Sequence, residues 1–263
     1  MHEVAQALAR ARREATALAG FPGALPADLT QAYAIQRQVL AEAGPAGGWK
    51  VAMIPPPVRS QFTVDRIAGP ILTETIQRSE SPKAAFVVNV YDGGFSALEA
   101  EFAFVMGGDL NPIDAPYDEA TIAASVASLH AAVEIASSPI SSMFTLGPLA
   151  MVADFGGNAG AIVGPEFPDW RDGPLERLGS RMSIDGVVVG EGSAAKVPGG
   201  PLAALRYLAD HLAGLGLGLA AGDVVLTGMT TGVHPIKPGS SAVVEFPGVA
   251  EIRIDVQAIA ARR

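Results

Sequence analysis

The run SALEAEFAFVM, residues 96–106, places two glutamates in a stretch that is otherwise almost entirely apolar. In a β-strand Glu99 and Glu101 would lie on the same face, because side chains alternate between the two faces of a sheet. The apolar residues around them predict that both faces are at least partly buried, and an unpaired carboxylate is costly to bury. The run therefore predicts a strand whose carboxylates are neutralised by a cation, by hydrogen-bond donors or by protonation.

Composition narrows the class of protein. The chain has 263 residues, of which 49% are hydrophobic, and this is ample for a continuous core. It has no cysteine, which excludes disulfides and thiolate metal ligands. A formal charge of −9 without any basic run argues against nucleic-acid binding and favours small-molecule partners. No apolar run reaches the roughly 18 residues of a membrane span, and no secretory signal is evident, so we expect a cytoplasmic protein.

The hydrophobic pattern changes near residue 48. Before it, residues 1–47 contain two amphipathic segments that predict a helical N-terminal arm. After it, residues 48–263 consist of short apolar runs separated by glycine and proline, which predict a β-rich domain. The expected fold class is α+β.

The predicted helices have recognisable ends. The segment 2–20 predicts the first helix, and the second is expected to begin at a cap from Asp28 or Thr30 and to end at Gly44. Two further helices are expected inside the β-rich domain, at residues 118–135 and 200–219.

A third glutamate in apolar surroundings, Glu134, stands in HAAVEIASSPI. Taken singly, a glutamate in such a run is explained by a solvated strand face or a salt bridge. As a set they would require several cations, and the lysines in strand-like or loop contexts are Lys50, Lys196 and Lys237. A site built from oxygen ligands alone is typical of a hard cation, magnesium or manganese.

Lys50 stands in the strand-like run GGWKVAMI. Its apolar stem could cover the protein surface while the ammonium reaches water. Alternatively, burial would lower its pKa and leave an ammonium that protonates or holds a substrate.

The four histidines give less evidence about function than the glutamates and Lys50 do. His2 is terminal, His130 and His211 lie on helical patterns that favour packing roles, and His234 lies in a turn-rich segment where it could contact a substrate. The chain contains no G-x-S-x-G motif, no P-loop and no dinucleotide-binding glycine motif, so acyl-enzyme, nucleotide and hydride chemistry have no support.

Several segments, in order from about residue 30 to 257, resemble one enzyme family. They include GGWKVAM, LEAEFAFVMGGDL, AAVEIASSPI, DFGGNAGAIVG and GDVVLTGMTTGVHPIKPG. Together they are similar to the 2-keto-4-pentenoate hydratase and 4-oxalocrotonate decarboxylase group of the fumarylacetoacetate hydrolase superfamily. The resemblance implies a mixed β-roll of the fumarylacetoacetate hydrolase C-terminal domain type with a small helical N-terminal part.

The resemblance also implies site residues. It makes Glu99, Glu101 and Glu134 the ligands of a divalent metal, Mg²⁺ or Mn²⁺, and Lys50 the catalytic residue. Four further residues are the candidates for substrate binding: Asp154, Asn158, Thr231 and His234.

The activity implied is that of a metal-dependent lyase. A hydratase would add water to a short 2-hydroxy-2,4-dienoate, or its 2-oxo tautomer, to give a 4-hydroxy-2-oxoacid, as in aromatic-compound catabolism. The alternatives are a 4-oxalocrotonate-type decarboxylase, an acylpyruvate hydrolase and a catalytically silent 2-oxoacid-binding homologue. The resemblance further implies a homo-oligomer, associated in some cases with a related pathway enzyme.

The sequence departs from the family near the lysine. Ile54, Pro55 and Ile67 stand where hydratases of this group carry polar side chains. We therefore expect a more apolar pocket that favours a substrate with an alkyl group at its distal end, because an apolar wall disfavours a second charge.

Overall fold

Thirteen strands form two β-sheets in the computed structural model, which describes residues 1–261. The strands are β1 (Ala46–Met53), β2 (Arg66–Leu72), β3 (Ile76–Arg78), β4 (Lys83–Val90), β5 (Phe95–Met106), β6 (Val126–Ser138), β7 (Asn158–Glu166), β8 (Gly179–Ile184), β9 (Val187–Ser193), β10 (Val224–Leu226), β11 (His234–Pro235), β12 (Ser241–Phe246) and β13 (Ala250–Ala258). The larger sheet has the order β2-β1-β10-β5-β6-β7-β3, with β11 paired to β5. The smaller sheet has the order β4-β13-β12-β8-β9.

Short helices connect and cover the strands. The α-helices of the described residues are α1 (His2–Glu14), α2 (Leu29–Ala43), α3 (Pro56–Arg59), α4 (Glu119–Ala124), α5 (Met143–Leu146), α6 (Pro148–Ala153) and α7 (Pro201–Gly214). Single 3₁₀ turns lie at Thr73–Thr75, Pro112–Asp114, Phe155–Gly157, Leu175–Arg177 and Ala194–Lys196. None of the described helices is both long and apolar enough to cross a membrane. Parallel pairs such as β1 with β10 and antiparallel pairs such as β5 with β6 occur in one sheet, so the predicted mixed α+β fold is confirmed.

The two faces of β5 have different neighbours. Phe102 and Phe104 belong to the main core, and the ring of Phe102 lies 5.7 Å from that of Phe246 in the other sheet. Ala103 belongs to a second cluster with Val224 and Leu226 of β10. Glu99 and Glu101 share the face of Ala103, because side chains alternate along the strand.

The N-terminal helices largely follow the sequence prediction. α2 begins at Asp28, whose carboxylate accepts a hydrogen bond from the Gln31 backbone N–H at 2.8 Å, and it ends at Gly44 as expected. α1 stops at Glu14, earlier than predicted, because Ala15 adopts a left-handed conformation with φ 51°.

One predicted helix is mostly a strand. Residues 118–135 were expected to be helical, but α4 ends at Ala124 and β6 begins at Val126. The alanine-rich segment favours a helix locally, and pairing along the whole of β5 overrides this preference. His130 consequently lies on a strand, whereas the helix predicted over 200–219 is present as α7.

The N-terminal helices pack onto the β-rich part of the chain. The Gln36 amide of α2 donates to the carbonyl oxygens of Ala68 at 3.1 Å and Val152 at 2.7 Å. α1 and α2 share a buried apolar cluster with α5 and α6, to which Leu8 and Ile35 contribute. A boundary between residues 47 and 48 stays a prediction.

Candidate metal centre

Strand pairing brings the three glutamates together. Glu99 of β5 lies directly opposite Glu134 of β6, and Glu101 lies two residues along β5 on the same face. One carboxylate oxygen from each residue lies within 4.8 Å of the other two. Like charges at facing positions of a sheet repel each other, so this arrangement requires neutralisation.

The carboxylates are buried and only partly hydrogen-bonded. Glu134, Glu101 and Glu99 are 0%, 1% and 7% exposed. Oε2 of Glu101 accepts a hydrogen bond from the Gly228 N–H at 2.7 Å, and Oε1 of Glu134 accepts one from Nδ2 of Asn158 at 3.0 Å. The other oxygens of these two carboxylates, Glu101 Oε1 and Glu134 Oε2, are buried without a protein partner. The donor set therefore fits a divalent cation with a preference for oxygen ligands.

The regular pairing of β10 ends beside the glutamates. β10 lies between β1 and β5 but ends at Leu226, which pairs with Ala103. Beyond it, the Thr227 hydroxyl donates to the Phe102 carbonyl at 2.9 Å. Beyond Leu226 the chain leaves regular strand pairing.

Lys50 reaches the glutamates from β1. Its Nζ lies 3.3 Å from Oε1 of Glu134, and the residue is 3% exposed. Gly69 faces Lys50 across β1 and β2, and a Cβ at Gly69 would lie 2.0 Å from the carbonyl oxygen of Phe155. A Cβ at Gly156 would lie 3.1 Å from Cδ of Lys50. These two glycines let the backbone pass close to the lysine stem.

The expectation that burial lowers the pKa of Lys50 is wrong for this environment. Burial by itself lowers the pKa, but the nearby carboxylates of Glu134, Glu99 and Glu101 outweigh it and raise the pKa above its ordinary value. Lys50 is thus an ammonium, and its environment favours electrostatic or proton-donor roles over that of a base.

Burial raises the pKa of Glu99 and Glu101, whereas by itself it lowers that of Lys50. Burial raises the pKa of Glu99 to about 8, with repulsion from Glu134 in the same direction and attraction to Lys50 opposing it. Burial and the neighbouring carboxylates likewise raise the pKa of Glu101. One lysine is therefore insufficient compensation for three buried carboxylates.

A cavity of about 170 Å³ adjoins the site. Lys50 and Glu99 contribute to its wall, together with Thr227 and Gly228. Its other lining residues are mainly apolar, including Val51, Met53, Pro55, Phe144, Met151 and Met229.

Two basic residues that sequence reasoning did not assign to the site, Arg66 and Lys196, also line this cavity. Two sequence features could have pointed to them. Arg66 is a charged residue at the start of the otherwise apolar strand RIAGPIL, and Lys196 lies in the loop before α7. Of the three residues expected to make the pocket apolar, Pro55 lines the cavity, whereas Ile54 and Ile67 pack in a separate buried cluster with Tyr33.

Comparison with known proteins agrees with this architecture. Residues 87–257 match the family described as fumarylacetoacetate (FAA) hydrolase C-terminal. The chain belongs to this family. The match includes all three glutamates, whereas Lys50 lies before it.

Relatives within the fumarylacetoacetate hydrolase group include two kinds of enzyme. A 2-keto-4-pentenoate hydratase of Burkholderia vietnamiensis is 28% identical over 235 residues, or 86% of this chain and 85% of the relative. A 4-oxalocrotonate decarboxylase of a Pseudomonas species is 28% identical over 184 residues, or 66% of this chain and 69% of the relative. A solved 4-oxalocrotonate decarboxylase from Pseudomonas putida G7, in complex with magnesium and adipate, has a TM-score of 0.80 at 22% identity over 97% of this chain and 96% of that chain.

Two residues that the family resemblance suggested for substrate binding have other partners in the structure. Asp154 is fully buried, and its carboxylate accepts hydrogen bonds from Arg12 Nε and from the Ser138 hydroxyl, both at 2.5 Å. Asn158 is 2% exposed and donates to Glu134. Neither residue lines the small cavity, and of the two only Asn158 contacts one of the glutamates.

The other two suggested residues, Thr231 and His234, contact each other. Nε2 of His234 lies 3.1 Å from the Thr231 carbonyl oxygen and 3.2 Å from its hydroxyl. Burial lowers the pKa of His234, which favours the neutral imidazole. Neither residue is among those that line the small cavity, and their contact with substrate stays a prediction.

Proposed function

We propose that this protein is a metal-dependent lyase of the hydratase type. It adds water to a short 2-hydroxy-2,4-dienoate, through the 2-oxo-3-enoate tautomer, and produces a 4-hydroxy-2-oxoacid, as in aromatic-compound catabolism. The observation that carries the proposal is the convergence of three buried glutamates, two of them with an unpartnered oxygen, beside Lys50 and a cavity. The hydratase relative that matches over most of the chain supports the same reaction.

The cofactor proposed for the site is a divalent cation, magnesium or manganese. Glu99, Glu101 and Glu134 would hold it, since oxygen-only ligands suit these ions. When bound, such an ion supplies Lewis-acid stabilisation to the negative charge that develops on a 2-oxoacid. Asn158 positions Glu134 through its 3.0 Å hydrogen bond.

Lys50 is the proposed catalytic residue. Its ammonium lies at the cavity wall with Nζ held 3.3 Å from Glu134, so its position is restrained. From there it can stabilise negative charge on the C2 oxygen of the substrate and donate a proton during ketonisation. Its burial strengthens both effects, because electrostatic interactions are less screened away from water.

The reaction can be written with balanced atoms. The dienol loses its hydroxyl proton while C5 gains a proton, which leaves a C2 ketone conjugated to a C3–C4 double bond. The oxygen of water then bonds to C4 and a proton is placed on C3. The net change is the addition of one water molecule, and the protein provides charge stabilisation and a site for proton transfer.

Two observations rank the alternatives. No histidine of the described residues lines the small cavity, so the histidine-dependent water activation expected of an acylpyruvate hydrolase has no support there. Decarboxylation of a diacid is the second candidate, because it would start from the same 2-oxoacid group and two basic residues besides Lys50 line the cavity. The partners proposed are a small 2-oxo or 2-hydroxy-dienoate acid and further copies of this chain in a homo-oligomer.

A turnover assay tests the proposal. The purified protein with magnesium is given 2-hydroxypenta-2,4-dienoate, its methyl-extended homologue and 2-oxohex-3-enedioate, and the loss of conjugated absorbance is followed alongside carbon dioxide release. Consumption without carbon dioxide supports hydration, whereas carbon dioxide from the diacid transfers the assignment to decarboxylation. No reaction with any of the three contradicts the lyase assignment.

Replacing Lys50 tests its role directly. Lys50→Met keeps most of the apolar stem and removes the charge, so we expect turnover to fall by about 100-fold or more. Magnesium-loaded protein should keep its fold, since the ion compensates the same carboxylates. Lys83→Met, which changes an exposed lysine on β4, is the matched control. Turnover of the Lys50 variant within a few-fold of the parent would remove Lys50 from the mechanism.

A further inference from the structure

The part of β5 that carries Glu99 and Glu101 lacks a neighbouring strand on one side. Among the strands of the described residues, β10 pairs with β5 at residues 103–105 and β11 pairs with it at residues 97 and 98. Residues 99–102 therefore have no strand beside them on that side. Their buried backbone groups need other partners, because a buried peptide group without a hydrogen bond is costly.

Two threonines between β10 and β11 supply these hydrogen bonds. The backbone N–H and the hydroxyl of Thr230 both donate to the carbonyl oxygen of Ala100, at 2.8 and 2.7 Å. Thr227 donates to the carbonyl oxygen of Phe102 in the same way, at 3.1 and 2.9 Å. These two carbonyl groups flank Glu101 in the chain, so the backbone on both sides of this glutamate is held.

The Thr230 hydroxyl is itself held by the smaller sheet. Its oxygen lies 2.6 Å from Oγ of Ser180 on β8. A hydroxyl has one proton, and because Thr230 donates its proton to Ala100, the Ser180 hydroxyl must donate to Thr230. Gly192 pairs with Ser180 across β8 and β9, and a Cβ at Gly192 would overlap the carbonyl oxygen of Thr230. Thr230 and Ser180 are 2% and 4% exposed, so water competes little for their hydrogen bonds.

The side chain of Glu101 depends on the same segment. Its Oε2 accepts a hydrogen bond from the N–H of Gly228, which lies between the two threonines, while Oε1 is buried without a partner among the described residues. We propose that Thr230 is a positioning residue that, with the Ser180 hydroxyl behind it, fixes where the Glu101 carboxylate is presented to a divalent ion. This inference rests on the metal site of the proposed function, and it adds two residues that act through Glu101.

Metal selectivity can detect such a role. Magnesium requires near-ideal octahedral geometry, whereas calcium accepts several coordination numbers and irregular geometries. A small displacement of the Glu101 carboxylate should therefore weaken magnesium binding more than calcium binding. A general loss of folded protein would instead reduce the binding of both ions alike.

Calorimetric titration of the metal-free protein with magnesium and with calcium provides the test. Thr230→Val removes the hydroxyl but keeps the branched side chain and the backbone N–H, so magnesium affinity should fall by about ten-fold and calcium affinity by about three-fold or less. Thr230→Ser retains a hydroxyl and should bind magnesium within about two-fold of the parent. Magnesium affinity of Thr230→Val within about two-fold of the parent, or equal losses for the two ions, would overturn the proposal.

Two serine variants separate positioning from stability. Ser180→Ala leaves Thr230 in place and removes the donor behind it, so magnesium affinity should fall by about five-fold. This variant decides the matter if Thr230→Val does not fold, and unchanged magnesium affinity in it contradicts the role. Ser125→Ala is the matched control, because Ser125 is also buried, donates to the Ile122 carbonyl at 2.8 Å and adjoins the end of β6 farther from Glu134. It should lower the melting temperature as Ser180→Ala does, but leave magnesium affinity within about two-fold of the parent.

The two proposals fail in distinguishable ways. If Thr230→Val loses magnesium affinity selectively but the parent consumes no dienoate, the positioning role stands and the lyase reaction falls. If the parent consumes dienoates with magnesium but Thr230→Val binds both ions as the parent does, the reaction stands and the positioning role falls. A parent protein that binds neither ion removes both the metal site and the role of Thr230.

Discussion

At the scale of single residues, Glu101 is a candidate cation ligand whose two oxygens have different surroundings. One of its oxygens accepts a hydrogen bond from Gly228, and the other is buried without a protein partner. The protein therefore satisfies one of the two oxygens of this carboxylate, and a bound cation would complete the interactions of the other.

Glu101→Gln should separate metal binding from folding. An amide is a weaker ligand and leaves more of the ion's charge uncompensated, so magnesium affinity measured by calorimetry should fall by about 100-fold. The metal-free variant should be at least as stable as the parent, because burial and neighbouring carboxylates penalise the charge that is removed. Glu119→Gln, on the exposed first turn of α4, is the control. Unchanged magnesium affinity in Glu101→Gln would exclude Glu101 as a ligand.

His211 gives the protein a predictable sensitivity to acid. Burial lowers its pKa to about 4, and Nε2 is buried without a hydrogen-bond partner. Its ring lies 4.4 Å from that of Tyr33 and stacks 5.7 Å from that of Tyr207. In the unfolded chain the imidazole titrates near pH 6.5, so between pH 6.5 and 4 the unfolded state binds a proton that the folded state refuses.

The free energy of unfolding should therefore fall as the pH drops below about 6.5. His211 accounts for a loss of about 2 kcal/mol by pH 5. His211→Phe keeps an aromatic ring between the two tyrosines and should remove this part of the pH dependence in urea titrations at pH 7 and pH 5. His2→Phe, at an exposed terminal position, should retain it. Identical pH dependence in the parent and His211→Phe would show that His211 is protonated as easily in the folded state as in the unfolded one.

At the scale of elements, one buried residue connects α1 to the sheet that carries the three glutamates. Arg12 donates to Asp154 Oδ1 at 2.5 Å and to the carbonyl oxygens of Asp154 and Asn158, each at 3.1 Å. Asn158 in turn holds Glu134. The N-terminal helix and a proposed metal ligand thus belong to one hydrogen-bonded network.

Removing the Arg12–Asp154 ion pair should lower the free energy of unfolding. Arg12→Met leaves the buried Asp154 without its ionic partner, and breaking one side of a buried pair costs about 3 to 5 kcal/mol. Arg13→Met is the matched control, because Arg13 is the next residue of the same helix and is exposed. Urea denaturation of both variants provides the measurement. A loss below about 1 kcal/mol for Arg12→Met would mean that the pair does not anchor the helix.

The element least accessible to sequence reasoning was β6. Its alanine and serine residues fit a helical pattern as well as a strand, and the hydrogen bonds that decide between them come from β5, which precedes it by some twenty residues. By contrast, α2 was predictable because its cap residue Asp28 and its terminator Gly44 act within the helix itself.

At the scale of the whole molecule, metal binding and folding should be coupled. An ion that binds the folded protein alone stabilises it by about 2.7 kcal/mol at 100 times its dissociation constant. For a chain of this size this corresponds to a rise in melting temperature of about 5 to 10 °C. Magnesium or manganese should produce the rise in calorimetric scans and a chelator should abolish it, while Glu101→Gln should show little change. No rise with either ion would contradict a site formed by the three glutamates.

The sequence alone determined the features that depend on near neighbours. Alternation along residues 96–106 placed Glu99 and Glu101 on one face, and the apolar surroundings implied a partner for their charge, because these properties follow from a strand's period of two and from the cost of burying a carboxylate. The family resemblance added Glu134 and Lys50 as members of the same site.

Only the tertiary structure decided which distant residues meet. It placed Glu134 opposite Glu99, gave Asp154 to Arg12 rather than to the cavity, and brought Arg66 and Lys196 to the cavity wall while Ile54 and Ile67 packed elsewhere. These outcomes depend on the register between separate strands and on the path of the loops between them, and no local pattern of residues specifies either one.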